Sequence, residues 1–253
     1  MDRGVAGEAG GGLVDLLRQV VAETPCEAGC ARLLEVGCGD GEHLEALATF
    51  GEVVGVDTFA EAVERARAAY PGFDVQVADA CSLPFENEFD VVFSEGAFSW
   101  TPDQVGVLTS VARALKAGGA LVAQMGAEGD VARIQEGYAQ ALRAHSGDYS
   151  CQFCLPREES YQRLLGIMGF DVASMEVQQY LAPLPGGRDG LRRWACTHFA
   201  KSLALYRSSD RERVLEDFEQ ACACDLWDSE RGVWLADRRT LRFVARKRTR
   251  SKS

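Results

Sequence analysis

Long apolar runs are missing from this chain. Nothing in it approaches the ~20 consecutive apolar residues that cross a bilayer, and the Gly/Ala-rich first dozen residues lack the basic start and apolar centre of a secretory signal. The expectation is a soluble, cytoplasmic protein with no membrane partner. Histidine is scarce too: with three in 253 residues, any proton-transfer role falls to His43, His145 or His198. Positive charge is in deficit. The formal net charge is −11, and setting aside the five cations of residues 246–253 leaves −16 on the rest of the chain. So acidic a body repels phosphate backbones, which excludes a nucleic-acid partner and leaves no basic track for RNA. Cysteine shows no framework. Nine of them, an odd number scattered over a long chain, fit free thiols in a reducing compartment. Cys151 and Cys154 form a C-x-x-C half-site that no second one accompanies, and Cys222 and Cys224 point apart on a helix, so no metal site is expected.

Internal repeats and long linkers are absent as well, and the chain reads as alternating elements. Leu13, Leu16, Leu17, Val20 and Val21 recur at helical spacing over 13–23. "ARLLEVG" is a short apolar strand, followed by a helix that buries Leu44, Leu47 and Ala48. "EVVGVD" (52–57) is the second strand, after which Thr58 and Glu61 form a capping-box pattern for a helix ending near Tyr70. Strands follow at 73–79, 89–96 and 119–125, with a helix opened by Thr101-Pro102 and Gln104 and stopped at Gly118-Gly119. Helices are expected at 129–145, 156–168, 187–207 and 209–224, and strands at "FDVASMEVQQYL" and "LRFVARK" (241–247). Strands and helices at this tempo require right-handed crossovers and a mostly parallel sheet covered on both faces. The two late strands point to an antiparallel edge.

The turn after the first strand, "LLEVGCGDGEH", selects among nucleotides. In an open parallel sheet the first βα turn usually supplies the ligand site. A nicotinamide dinucleotide turn reads G-x-G-x-x-G. Here Gly37, Gly39 and Gly41 alternate, and Glu42 stands where the third dinucleotide glycine belongs. Asp40, Glu42 and Glu45 crowd the helix start and Glu35 precedes the turn. Carboxylates there would repel a pyrophosphate arriving at the same amides. A phosphate-free ligand with a positive centre suits the turn better.

At this point the sequence resembles the class I S-adenosylmethionine-dependent methyltransferases. "LLEVGCGDGEH" is similar to their first motif and "VVGVDTFAEAVERAR" to their second, while "VADACSLPFENEFDVVFSEGAFSW" resembles the third and fourth. The resemblance implies S-adenosyl-L-methionine as cofactor, held by Glu35, Gly37, Cys38 and Gly39 in the turn. It also implies that Asp57 holds the ribose hydroxyls with Thr58 beside it, that Asp79 and the Ala80 amide meet the adenine, and that Ser94 lines the pocket near the methyl donor. Trp100 falls where small-molecule members carry a tryptophan, the trans-aconitate methyltransferase group among them. Asp40 stands where the family has a small residue.

The implied fold is α/β: a Rossmann-like, doubly wound, seven-stranded, mostly parallel sheet with one antiparallel edge strand, helices on both faces and a small helical cap. The expected organisation is a disordered leader over 1–12, a single methyltransferase domain over 13–247 (cofactor half 13–125, substrate and cap half 126–247) and a basic tail, 248–253, read as a frayed, solvated end. Methyl transfer from a sulfonium needs chiefly alignment and exclusion of water. A carboxylate acceptor needs no base, whereas an alcohol or amine does.

No catalytic residue is fixed by the sequence; the candidates are His43, Trp100, Arg193, Trp194 and His198. His43 reads either as a solvated or capping histidine or as a base, His198 either as a core or surface histidine of the cap or as a base. Arg192 and Arg193 could pair with a carboxylate while Trp194 offers an apolar wall, the alternative being a solvated face and a packed indole. Glu95 could orient an amine or hydroxyl. Cys38 is expected to pack beneath the cofactor. The leading function is methyl transfer to a small molecule, a carboxylate being one candidate acceptor. The alternatives are a protein or peptide side chain as acceptor, or a catalytically silent partner-binding domain. Nothing in the sequence fixes an oligomeric state.

Overall fold

The alternation read from the sequence is realised in a computed structural model that describes residues 12–24 and 30–249. The rest of the expected leader, Cys26 and the last four residues lie outside the described residues. α1 (Leu13–Glu23) buries Leu13, Leu17 and Val20 on one stripe, and β1 (Ala31–Val36) follows. Then come α2 (Leu44–Ala48), β2 (Gly51–Asp57), α3 (Ala60–Ala69), β3 (Asp74–Val77), β4 (Phe89–Glu95), α4 (Gln104–Ala114) and β5 (Leu115–Gly126). Beyond these lie α5 (Ala132–Ala144), α6 (Glu158–Ile167), β6 (Phe170–Pro183), α7 (Gly190–His198), α8 (Ala200–Leu203), α9 (Ser208–Leu226), the short β7 (Trp227–Asp228) and β8 (Val233–Lys247). Among the described residues no helix is long and apolar enough to cross a membrane.

Two compact units emerge, and neither is continuous in sequence. The described part of the first holds residues 12–24, 30–128, 153–178 and 240–249; that of the second holds 129–152 and 179–239. The sheet runs in the order β3-β2-β1-β4-β5-β8-β6, with β7 pairing on β8. β1 is parallel to β2 and β4, β2 to β3, and β4 to β5, whereas β8 runs antiparallel to β5. The strand order therefore reverses between β1 and β4, where an open α/β sheet binds its ligands.

Both faces of this sheet are covered, so its strands are apolar throughout rather than alternating. Leu33, Val53, Val91, Phe93 and Val122 pack with α1 and with Leu44, Leu47, Val63 and Ala66 on one face. Leu34, Val54, Val92, Leu121 and Phe243 pack with Val107, Leu108 and Val111 of α4 and Tyr161 and Leu165 of α6 on the other. By this parity Glu35 and Glu95 fall on the α2 side, because a strand's side chains alternate between faces.

Several boundaries differ from expectation for local reasons. The Thr58/Glu61 capping box does not form: α3 has Phe59 at its N-cap, without a side-chain cap. The Phe59 N–H is instead taken by Asp57 Oδ1 at 2.9 Å. α4 is capped not through Thr101-Pro102 but by Asp103, whose carboxylate accepts from the Gly106 N–H at 2.8 Å. Gly118 and Gly119 lie inside β5 rather than stopping α4. At Gly119 a Cβ would sit 3.0 Å from both the Asp90 and Lys116 carbonyl oxygens, so close strand approach requires this glycine. β8 starts eight residues before the expected 241. The basic end is tied down rather than frayed where it is described. Arg246 donates to Thr24 Oγ1 at 3.1 Å, Lys247 to the Leu115 carbonyl at 2.6 Å, and Arg248 to Asp171 at 2.7 Å.

In the second unit, the helix expected over 187–207 breaks at Phe199 into α7 and α8. Phe199 is fully buried and stacks on Tyr138 with centroids 4.0 Å apart, while Tyr149, Trp194 and Phe218 meet its edge or face. Gly137 lets α5 approach α9, because a Cβ there would lie 2.4 Å from Cys222 Sγ.

Candidate functional site

The turn after β1 is built by backbone conformations that glycine supplies. Gly37, Gly39 and Gly41 have φ of 80°, 51° and 91°, a region in which a side chain is strained. Gly37 is also crowded: its Cβ would lie 2.2 Å from that of Ala97. Above Gly39, by contrast, nothing among the described residues beyond its chain neighbours lies within 4 Å of where a Cβ would point, so this part of the turn is open. The Gly37 and Cys38 amides donate to the Val56 carbonyl at 2.8 and 3.0 Å, which locks the turn to the end of β2.

Asp57, the last residue of β2, braces the same turn. Its Oδ2 accepts from the Gly39 N–H at 3.0 Å and its Oδ1 from the Phe59 N–H. Thr58 is exposed beside it. At the end of β3, exposed Asp79 accepts from the Cys81 N–H at 2.8 Å and so caps the short turn Ala80–Ser82, whose first residue packs against the core. Ser94 is buried, and its hydroxyl donates to the Val36 carbonyl at 2.9 Å, tying β4 to β1. Cys38 packs against Gly55. Burial, with Glu35 nearby, pushes its thiol up to about 12, so it stays protonated and is no nucleophile.

A buried acid lies beneath this turn. Glu35 is 1% exposed, between Gly55 of β2 and Phe93 of β4 in the sheet. Its Oε1 meets His43 Nδ1 at 3.0 Å, while its Oε2 is buried without a hydrogen-bond partner. His43 Nε2 lies 3.4 Å from Glu95 Oε2, and its ring meets Phe93 edge-on. Glu95 also accepts from Gln124 Nε2 at 3.3 Å, and Gln124 in turn accepts from Arg242 Nε at 3.1 Å. Burial raises the Glu35 carboxyl above its ordinary value, opposed by His43; the bond to Glu35 raises His43 above 6.5. His43 stands at the N-cap position of α2 but makes no side-chain cap bond to it; its two ring nitrogens face Glu35 and Glu95 instead. The sequence reading named Glu35, His43 and Glu95 separately. Their joining depends on strand register, in which Glu95 pairs with Gln124 and Gln124 with Arg242.

Trp100 ends the short turn Ala97–Trp100 after β4, 46% exposed, with the Phe153 ring 4.9 Å away. Phe153 was invisible to the sequence reading because its contact spans some fifty residues of chain. The remaining candidates lie on α7, in the second unit. Arg192 is paired with Glu212 and Glu219 at 2.5 and 2.8 Å. Arg193 is exposed, and no ion pair among the described residues engages it. Trp194 stacks on His198 at 4.1 Å, and His198 Nδ1 meets the Trp194 carbonyl at 2.9 Å. Desolvation lowers the His198 pKa and keeps the ring neutral at neutral pH. His145 pairs with Asp217 at 2.8 Å. Among the described residues no cluster of His, Cys, Asp and Glu could hold a metal ion.

What converges on the ends of β1, β2 and β4 is thus rich in acceptors and open above Gly39. An unpartnered buried carboxylate oxygen fits an ammonium group, and the Asp57 carboxylate fits a pair of hydroxyls. S-adenosylmethionine presents both.

Comparison with known proteins agrees. A family model described as a methyltransferase domain matches residues 34–123, which include the turn and both acids. An uncharacterized methyltransferase of Schizosaccharomyces pombe is 31% identical over 233 residues, covering 85% of this chain and 86% of the relative. The 27-O-demethylrifamycin SV methyltransferase of Amycolatopsis mediterranei is 31% identical over 76% of each chain. The trans-aconitate 2-methyltransferase of Methylobacterium nodulans is 35% identical, but over only 44% of this chain and 42% of that enzyme. In fold, a candidate methyltransferase of Bacillus halodurans superposes with a TM-score of 0.62 at 20% identity, covering 94% of this chain and 99% of that one. Because sequence likeness runs through most of both chains and the β1 turn carries the acids that this chemistry uses, the chain belongs to the class I S-adenosylmethionine-dependent methyltransferases.

Proposed function

We propose that this enzyme methylates a small molecule and that the acceptor is a carboxylate. The observation that carries the reading is the acid pair around the open turn. Glu35 would hold the cofactor's ammonium through its unpartnered oxygen, and Asp57 its ribose hydroxyls, with Gly39 leaving room for the backbone to approach. Asp79 and the Ala80 amide would meet the adenine. When bound, S-adenosylmethionine supplies an electrophilic methyl group on a cationic sulfur. The protein has then to orient the acceptor and keep water out.

A carboxylate acceptor accords with the residues that are and are not committed elsewhere. It needs no base, and neither His43, held between two acids, nor His198, stacked under Trp194, is presented as one. Glu95, the acid that would oppose an anionic acceptor, is already matched by His43 and Gln124. Carried over from the sequence as a proposal, Arg193 would pair with the carboxylate and Trp194 would offer an apolar wall. The likeness to trans-aconitate 2-methyltransferases, though it covers under half of each chain, supports the same class.

The test is a transfer assay with labelled S-adenosylmethionine against small di- and tricarboxylic acids, hydroxylated compounds and basic peptides. Label is expected in a base-labile ester of an acid. Arg193→Ala should raise the KM for that acid about tenfold, the worth of one charge-assisted bond, with kcat and cofactor binding little changed. Label confined to hydroxyl compounds or peptides, or an unchanged KM, would remove the carboxylate assignment.

A further inference from the structure

The Glu35 carboxylate is shared. One oxygen is held by His43 and the other has no partner among the described residues, although the side chain is 1% exposed. A buried carboxylate oxygen left unpaired is costly, so the protein keeps it for a donor that arrives. His43 is itself gripped on its far side, since Nε2 faces Glu95 at 3.4 Å while Nδ1 faces Glu35 at 3.0 Å. An imidazole with a carboxylate on each nitrogen satisfies both only when it carries both protons. The charged groups facing this pair come from every element packed against it: Glu35 of β1, Glu95 of β4, Glu42 of the turn itself and Asp57 of β2. All are acids, and all favour the imidazolium.

Resting on the cofactor reading above, we propose that His43 is the positioning residue for Glu35 and that it competes with the cofactor's ammonium for that carboxylate, so that cofactor binding expels part of the His43 proton. The sign follows from charge alone. A second cation on the same carboxylate disfavours the imidazolium, so His43 titrates at lower pH in the complex than in the free protein. By reciprocity the affinity for an ammonium-bearing ligand rises with pH through the His43 titration. The bond to Glu35 raises the His43 pKa in the free protein, against the burial that lowers it. The row Glu95, Gln124, Arg242 across β4, β5 and β8 holds the far side of the ring in place.

The experiment is a histidine NMR titration of the full chain, free, with S-adenosylhomocysteine, and with 5′-methylthioadenosine, which lacks the ammonium. With three histidines, resonance assignment by single substitutions is direct. S-adenosylhomocysteine should lower the His43 pKa, 5′-methylthioadenosine should leave it in place, and His145 and His198 should not move. Calorimetry in buffers of different ionisation enthalpy should show protons released with the first ligand and not with the second. The affinity for S-adenosylhomocysteine should rise with pH through the measured His43 titration, by the factor that the measured fall in its pKa sets at about tenfold per unit, and that for 5′-methylthioadenosine should stay flat.

Glu35→Gln should weaken S-adenosylhomocysteine about tenfold, the worth of one charge-assisted bond, and spare 5′-methylthioadenosine. His43→Gln should abolish the proton release. If Glu35→Gln leaves both affinities unchanged, the cofactor reading itself fails. If Glu35→Gln weakens binding but the wild-type His43 titration is the same with and without S-adenosylhomocysteine, the competition is refuted while that reading stands. Should His43→Gln not fold, the wild-type titration decides alone.

Discussion

Gly37 and Gly39 occupy the same turn and need glycine for different reasons. At Gly37 an added methyl group meets Ala97 and the φ of 80° is strained as well. Gly37→Ala should therefore cost about 2–3 kcal/mol of stability. Gly39 has a strained φ but open space, so Gly39→Ala should cost only about 1 kcal/mol while obstructing the cofactor. Denaturant unfolding read beside a cofactor titration separates the two: large stability loss in the first, large affinity loss with modest stability loss in the second. Equal profiles would contradict the assignment of open space above Gly39 to the ligand. The three glycines and Asp57 were legible in the sequence because their spacing is local and the chemistry of a turn allows few substitutes. The partners of His43 were not, because Glu35 and Glu95 come from strands sixty residues apart and meet only through register. Nor were those of Arg192, which meets Glu212 and Glu219 of α9.

Elements of this fold divide their tasks between their two ends. The carboxyl ends of β1, β2 and β4 carry Glu35, Asp57 and Glu95, whereas at the opposite end of β4 the buried Asp90 accepts from the Arg32 N–H at 2.8 Å and from Lys116 Nζ at 2.9 Å. Asp90 staples β1, β4 and β5 where no ligand is expected. Asp90→Ala should cost about 3 kcal/mol by leaving a partly buried cation and an amide unpaired, without altering the cofactor affinity of the folded protein. Thermal melts with and without cofactor check this, and a lost affinity in the folded variant would show that the two ends are not independent. Element identity was legible throughout the first half, where apolar runs and glycine turns follow one another closely. Boundaries were not, because Asp57 replaced the capping box, Asp103 capped α4 and strand pairing carried β8 well upstream of its apolar stretch. The break at Phe199 had no local signal; it places that ring among the aromatic side chains of α5, α7 and α9.

At the scale of the whole molecule, a mostly parallel sheet covered on both faces followed from the alternation of strands and helices and its doubly wound form from the family resemblance, whereas the two units interleave in sequence and could not be drawn from it. The acidic balance takes on a specific meaning here. A net charge of −11 that disfavours phosphate-bearing ligands is compatible with a cofactor whose reactive centre is a cation. Asp57 joins these levels, because it ends β2, braces the glycine turn through the Gly39 amide and offers its carboxylate at the mouth of the site. The most direct test is calorimetric titration of the full chain with S-adenosylmethionine, wild type against Asp57→Ala, with circular dichroism to show that the sheet is retained. Saturable binding by the wild type and a loss of roughly a hundredfold in the variant, the worth of two charge-assisted bonds, is the predicted result. No binding by the wild type at high micromolar cofactor, or undiminished binding by a folded Asp57→Ala, would contradict it.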